Sequence, residues 1–172
     1  MPQRLFRTTL ILGAVCLLSA CGFQLRGTGE GVNVPDDWRY MYLVTNNPNS
    51  EFSRAVRTRF ASNGVEWQDK EQANYRVVLG PERFSQLNLS LNADARAAEF
   101  ELTMRSTFSV LDANGQKVMP DTTASVVKQM ENDPRNVVGK AEEIRILKSE
   151  MRGELAQQIL RRIAFFAASQ DS

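Results

Sequence analysis

The cysteine at position 21 is the residue whose type and surroundings point most directly to chemistry. It follows Leu18-Ser19-Ala20, which is the bacterial lipobox pattern, in which the thiol takes a diacylglycerol and cleavage makes the cysteine the new N-terminus. The uncharged stretch before it, 8–18, suits a signal-peptide core and is shorter than the roughly 20 residues of a bilayer-spanning helix. We therefore predict that 1–20 is cleaved and that Cys21 carries N-acyl and S-diacylglycerol lipid. An ordinary signal peptide with a chance cysteine is the alternative.

The residue types that remain after cleavage exclude several classes of site. The chain has no histidine, and its second cysteine, Cys16, leaves with the signal. Serine–histidine triads, cysteine nucleophiles and zinc sites of the usual nitrogen and sulfur kind are therefore excluded, and no metal or cofactor is predicted. Loss of the two arginines in 1–20 changes the net charge from +1 to −1. A near-neutral chain argues against a general affinity for nucleic acid.

Two further patterns could carry chemistry, and both have simpler explanations. Glu99 and Glu101 share one face of a predicted strand, as a carboxylate-pair hydrolase would need, but a solvated polar face explains them better. The glycine-rich run 27–31 does not follow a strand and open a helix, so it predicts a tether rather than a phosphate-binding loop. We predict a protein that is not an enzyme.

Basic residues offer a binding site instead. Arg145, Lys148 and Arg152 are spaced so that they form a stripe on one side of a predicted helix. Each could be an ordinary solvated charge. The alternative is a phosphate-binding surface, since arginine and lysine both suit phosphate. Three further residues could contribute to it: Arg96, Lys128 and Arg135.

The elements that position these residues follow from hydrophobic periodicity. Alternation is clearest where Phe100, Leu102 and Met104 face one way and their neighbours are polar. The order β-α-β-β-β-α predicts an α+β two-layer sandwich, a mostly antiparallel four-stranded sheet with both helices on one face. The predicted strands are 40–44, 75–91, 100–110 and 117–130, with a short extended piece at 65–67. The break in the second strand at Gly80-Pro81 suggests an edge strand or a bulge. The predicted helices are 50–62, capped by Asn49 or Ser50, and 134–166. The predicted domains are the signal peptide 1–20, a lipidated tether 21–38 and one α/β domain 39–168.

Four segments resemble one protein family, the lipopolysaccharide-assembly lipoprotein family LptE. The most specific is the string Cys21-Gly22-Phe23-Gln24-Leu25-Arg26-Gly27-Thr28. The others are Phe52-Ser53-Arg54-Ala55-Val56-Arg57, Asn63-Gly64-Val65-Glu66 and Asn132-Asp133-Pro134. The resemblance implies a non-catalytic lipoprotein of the Gram-negative outer membrane. Such a protein lies on the periplasmic side and in the barrel lumen, where it plugs and helps assemble the β-barrel LptD and binds lipopolysaccharide.

The family also implies ligand contacts. By position, Arg96 corresponds to a basic residue in a loop between two strands, and Lys140 or Lys148 corresponds to one on the last helix. We expect these residues to contact lipopolysaccharide. The rival hypothesis is a pilotin or a lipid-transport accessory lipoprotein, whose partner would be a secretin or an inner-membrane complex.

Overall fold

Six strands and two α-helices build the part of the chain that the computed structural model describes, namely residues 32, 34–91, 97–131 and 137–170. The predicted signal peptide, Cys21 and Arg96 lie outside these residues. In chain order the elements are β1 (Tyr40–Thr45), α1 (Glu51–Ala61), β2 (Glu66–Trp67), β3 (Tyr75–Leu79), β4 (Arg83–Leu91), β5 (Ala97–Asp112), β6 (Lys117–Glu131) and α2 (Val137–Gln170).

Strand β5 is the central strand of the sheet. One of its edges pairs with β6 from Glu99 to Leu111, while its other edge pairs with β4 and then with β3. All of these pairs are antiparallel. The predicted alternation in β5 is confirmed by five apolar side chains that are at most 5% exposed: Phe100, Leu102, Met104, Phe108 and Val110. The face that carries them is called the inner face below, and the opposite one the outer face.

The prediction of a mostly antiparallel four-stranded sheet is wrong. The sheet has six strands and is mixed, because β1 runs parallel to both of its neighbours, β2 and β3. The cause is α1, which returns the chain to the edge of the sheet at which β1 begins. The strands that follow such a crossover run parallel to the strand before it. Two strands account for the difference in number. Strand β2 lies in the short extended piece that the prediction did not count in the sheet, and β4 is separate from β3, with which the prediction had joined it.

The break at Gly80 is a bulge in a long pairing with β5. Leu79 lies opposite Phe108 and Arg83 lies opposite Arg105, so three residues on one side face two on the other. The Gly80 nitrogen donates to the Thr107 oxygen at 2.8 Å. A β-carbon at Gly80 would stand 2.8 Å from that same oxygen, which is closer than such atoms approach. Glycine at position 80 therefore allows the backbone of the bulge to approach β5 closely.

Both helices share one hydrophobic core with the inner face. Helix α1 starts at Ser50, whose side chain accepts a hydrogen bond from the Ser53 nitrogen at 3.0 Å, and so confirms one of the two predicted caps. At the edge of the core, the rings of Trp38 and Tyr75 stack at 3.8 Å. The two helices contribute these fully or almost fully buried apolar side chains: Phe52, Val56, Phe60, Met151, Leu155, Ala156, Ile159, Leu160, Ile163, Ala164 and Ala167.

Two glycines provide a test of this packing. Gly80→Ala should lower the free energy of unfolding by roughly 1–3 kcal/mol, because its methyl group would push against the backbone of β5. Gly153→Ala should raise it by about 0.5–1 kcal/mol, since alanine is the better helix former and its β-carbon would meet only the end of Arg59, at 3.8 Å. Urea unfolding followed by circular dichroism measures both. A stabilised Gly80→Ala variant would contradict the proposed tight approach.

Candidate functional site

Lys140 and Lys148 lie on the side of α2 that faces the sheet. The Lys140 ammonium group lies 4.2 Å from the ring centroid of Phe100, and that of Lys148 lies 4.1 Å from the ring centroid of Phe84. Both lysines are half-buried. Their aliphatic stems cover apolar surface while their charges lie over the aromatic faces, an arrangement that attracts a cation to the ring.

The surroundings of the two lysines are apolar on the helix and polar on the strand. Ile144 and Leu147, half-buried, lie between them along α2. On β4, Gln86 and Asn88 lie opposite Leu102 and Phe100, which places them on the inner face, yet both are exposed. Helix α2 therefore leaves the inner face of β4 open. We call this region, bounded by Lys140, Lys148, Phe84, Phe100, Gln86 and Asn88, the lysine cleft.

Neither lysine of the cleft has a carboxylate partner within the described residues. The two differ in this respect from Lys128, Arg145 and Arg152, which were predicted for the same surface and have acidic partners. Eight residues of helix, at about 1.5 Å each, separate them by roughly 12 Å along the axis. The cleft thus presents two uncompensated positive charges with apolar surface between them, which suits an anionic amphiphile.

Arg152 instead connects α2 to the sheet and to α1. Its Nε lies 2.8 and 2.9 Å from the two carboxylate oxygens of Glu82, and its Nη1 pairs with Glu51. These hydrogen bonds, above all those to Glu82, raise the pKa of Arg152 above its ordinary value, against the opposing effect of burial. The positive charge that the sequence placed in a basic stripe is therefore neutralised.

Lys128 and Arg145 are paired as well. Lys128 donates to Glu154 at 2.7 Å and to Glu150 at 2.9 Å, so β6 is tied to α2, and these bonds raise its pKa. Arg145 donates to Glu142 at 2.6 and 2.9 Å. Of the predicted basic surface, the structure brings together Lys140 and Lys148 and commits Lys128, Arg145 and Arg152 to ion pairs. Arg96 and Arg135 lie outside the described residues.

The two rings beneath the lysines were assigned by sequence to the core alone. Phe84 and Phe100 fit strand alternation, so only their distance from lysines on a helix 40 or more residues away reveals a second role. The predicted carboxylate pair lies elsewhere. Glu101 is on the outer face opposite Leu87, and Glu99 accepts a hydrogen bond from Ser90 at 3.2 Å. Among the described residues there is also no group of potential ligands that could hold a metal ion.

The amino-acid sequence places the chain in a known family. The family model LptE, described as lipopolysaccharide-assembly, matches residues 38–163. The chain belongs to the LptE family. It is 30% identical over 176 residues to the LPS-assembly lipoprotein LptE of Pectobacterium atrosepticum, covering 99% of this chain and 91% of that protein. The protein of the same name from Yersinia pestis is 30% identical over 160 residues, or 90% of this chain and 74% of that one.

Solved structures agree with the LptE assignment. The rare lipoprotein B of Shewanella oneidensis superimposes with a TM-score of 0.69 at 25% identity, covering 77% of this chain and 99% of that one. A lipoprotein B from Nitrosomonas europaea gives a TM-score of 0.69 at 22% identity, covering 86% and 94%, which supports the fold alone. LptE lipoproteins carry no cofactor. In the described part of the chain, neither helix has the length and apolar character needed to cross a bilayer.

The Arg152 ion pair gives a stability test. Glu82→Gln should lower the free energy of unfolding by about 1–2 kcal/mol, because it removes a charged acceptor from an arginine that is only 16% exposed. Glu142→Gln, which breaks the solvent-exposed pair with Arg145, is the matched control and should leave stability unchanged. Thermal unfolding of both variants measures the difference. Equal effects would show that the Arg152 contact is an ordinary surface pair.

Proposed function

We propose that this chain is an outer-membrane lipoprotein that plugs and helps assemble an LptD β-barrel and binds lipopolysaccharide during its delivery to the outer leaflet. The family supports the assembly role, since relatives over nearly the whole chain are named LPS-assembly lipoproteins. The lipobox supports the anchor, with 1–20 removed, 21–38 as a lipidated tether and 39–168 as the folded domain. A single acyl chain holds a protein only marginally at a membrane, but lipidated Cys21 would carry more than one.

The lysine cleft carries the ligand-binding part of the proposal. Lipopolysaccharide combines anionic phosphates with acyl chains. Lys140 and Lys148 supply ammonium groups that no carboxylate of the described residues neutralises, and Ile144 and Leu147 supply apolar contact between them. Arg96 directly precedes β5, the strand that carries Phe100, and we include it as a third contact.

The outer face supports the role as a plug. Its exposed or half-exposed positions on β5 and β6 include Thr103, Arg105, Thr107, Thr123 and Ser125. A barrel lumen is lined by polar groups, so these polar positions could lie against it. The same face also carries two exposed apolar side chains, Leu87 and Val127, which such a contact would cover. The core gains no help from a disulfide, because the only cysteines are Cys16 and Cys21.

Co-purification tests the partner. Full-length protein with a C-terminal affinity tag, solubilised in mild detergent from its own cells, should bring down a large β-barrel in a near-equal amount, identified by mass spectrometry. A secretin or an inner-membrane complex in place of the barrel would refute this proposal and support the pilotin or lipid-transport alternative.

Two cysteine variants test the lipid anchor. Cys21→Ser should abolish labelling by radioactive palmitate and leave the precursor uncleaved, because the lipid attaches to that thiol. Cys16 lies in the predicted signal peptide, so Cys16→Ser is the control and should be labelled and cleaved normally. Labelling that persists in Cys21→Ser would refute the anchor.

Charge reversal tests the cleft. The double variant Lys140→Glu/Lys148→Glu should bind lipopolysaccharide at least about ten-fold more weakly, a loss of roughly 1.4 kcal/mol, because attraction to phosphate becomes repulsion. Arg96→Glu should weaken binding in the same direction. Surface plasmon resonance with immobilised lipopolysaccharide measures the affinity of each purified protein. Lys70→Glu/Arg161→Glu makes the same charge change on exposed side chains elsewhere and should bind normally; if it loses as much affinity, the cleft is not the site.

A further inference from the structure

The outer face holds two arginines directly opposite each other. Arg83 of β4 and Arg105 of β5 form a register pair, and both side chains are exposed. Opposite residues in an antiparallel pair have β-carbons about 4.5–5.5 Å apart, and like charges in that position repel each other. The pair is therefore an unfavourable arrangement unless something anionic lies between the two guanidinium groups.

Within the described part of the sheet, no acidic side chain next to the pair relieves this repulsion. On the outer face, Arg105 has Thr103 and Thr107 beside it along β5 and Ser125 opposite it on β6. Glu82, the neighbour of Arg83 in sequence, is already bound to Arg152 through both of its oxygens. Among the residues that the structure describes, neither Arg83 nor Arg105 has an ion pair.

The bulge turns the space around the pair into a concave pocket. Its volume is about 650 Å³, and its lining includes Arg83, Arg105, Gly80, Ser85, Thr107 and Thr123. Two of these hydroxyls, on Thr107 and Thr123, lie 3.4 Å apart across the strands. Guanidinium and hydroxyl donors thus surround one cavity, in which an anion could accept hydrogen bonds from several directions.

We propose that this outer-face pocket binds a phosphate monoester or free phosphate between Arg83 and Arg105. A carboxylate has two oxygens, which one guanidinium fork can satisfy alone. A phosphoryl group offers three terminal oxygens and a charge of about −1.5 to −2, so it can accept from two forks and neutralise both. Phe84 borders both this pocket and the lysine cleft. The charged groups of the two sites differ, because Arg83 and Arg105 lie on the outer face, whereas Lys140 and Lys148 lie over the inner face.

The test removes the two charges and keeps a polar side chain at each position. Full-length protein in an uncharged detergent is titrated with inorganic phosphate at constant ionic strength, and binding is followed by phosphorus NMR. Wild type should bind saturably, and Arg83→Gln/Arg105→Gln should bind at least ten-fold more weakly. Lys70→Gln/Arg161→Gln removes the same charge from other exposed positions and should bind as wild type does. Equal affinity of wild type and the Arg83→Gln/Arg105→Gln variant would overturn the proposal.

Thermal melting separates loss of the site from loss of the fold. Without phosphate, the Arg83→Gln/Arg105→Gln variant should melt at or above the wild-type temperature, because a repulsion has been removed. Added phosphate should raise the melting temperature of the wild type and leave that of the variant unchanged. A phosphate-induced rise of the same size in both proteins would overturn the proposal.

A second ligand identifies the source of the phosphate. Dihexanoyl phosphatidic acid is a short-chain lipid with a phosphate monoester, and dihexanoyl phosphatidylcholine is its phosphodiester control. If the arginine pair binds phosphatidic acid more tightly than inorganic phosphate, the source is a lipid headgroup. If it binds inorganic phosphate as tightly, the source is the free ion. If wild type and the Arg83→Gln/Arg105→Gln variant bind phosphatidic acid and inorganic phosphate equally well, the site is refuted. This result is independent of which β-barrel co-purifies with the protein.

Discussion

The hydrogen bonding of β5 along both of its edges is the constraint on which the rest of the structure depends. This 16-residue strand is bonded to β6 on one side and to β4 and β3 on the other. Because side chains alternate along a strand, its pairing divides the sheet into an apolar inner face and a polar outer one. Helices α1 and α2 bury the inner face except along β4, and Lys128 and Arg152 tie α2 to the sheet through their carboxylate partners. A fold without a disulfide is thus held by one continuous core and a few ion pairs at its border.

The basic side chains discussed above differ in whether they have an acidic partner, with different consequences. Lys128 and Arg152 are partly buried and paired, so they contribute to the attachment of α2 and offer little to a ligand. Lys140 and Lys148 on one face, and Arg83 with Arg105 on the other, have no acidic partner among the described residues. In an ion pair the two charges compensate each other, whereas a cation without an acidic partner attracts any anion that reaches it. Unpaired charge beside a cavity or a partly buried apolar surface is therefore a better guide to ligand binding than the density of basic residues.

Much of the fold could be predicted from local patterns, and the exceptions have a common cause. The alternation of β5, the Ser50 cap and the stripe of α2 depend on residues close in sequence. The parallel direction of β1 depends on the path of α1, and β2 is too short to show periodicity. The same limit applies to the site, since spacing on α2 grouped Arg145, Lys148 and Arg152 as one basic stripe. Glu82, which neutralises Arg152, lies 70 residues away, so its effect is invisible to any local pattern.

The bulge at Gly80 determines what each face of the sheet presents. If β4 continued the register of β3 without the extra residue, Arg83 would lie opposite Met104 and Phe84 opposite Thr103. A shift of one residue moves every side chain of β4 to the other face. Arg83 would then enter the inner face beside the core, and Lys148 would lose the ring over which its charge now lies. The close contact between Gly80 and Thr107 thus places the aromatic ring in the lysine cleft and, on the opposite face, aligns the two arginines.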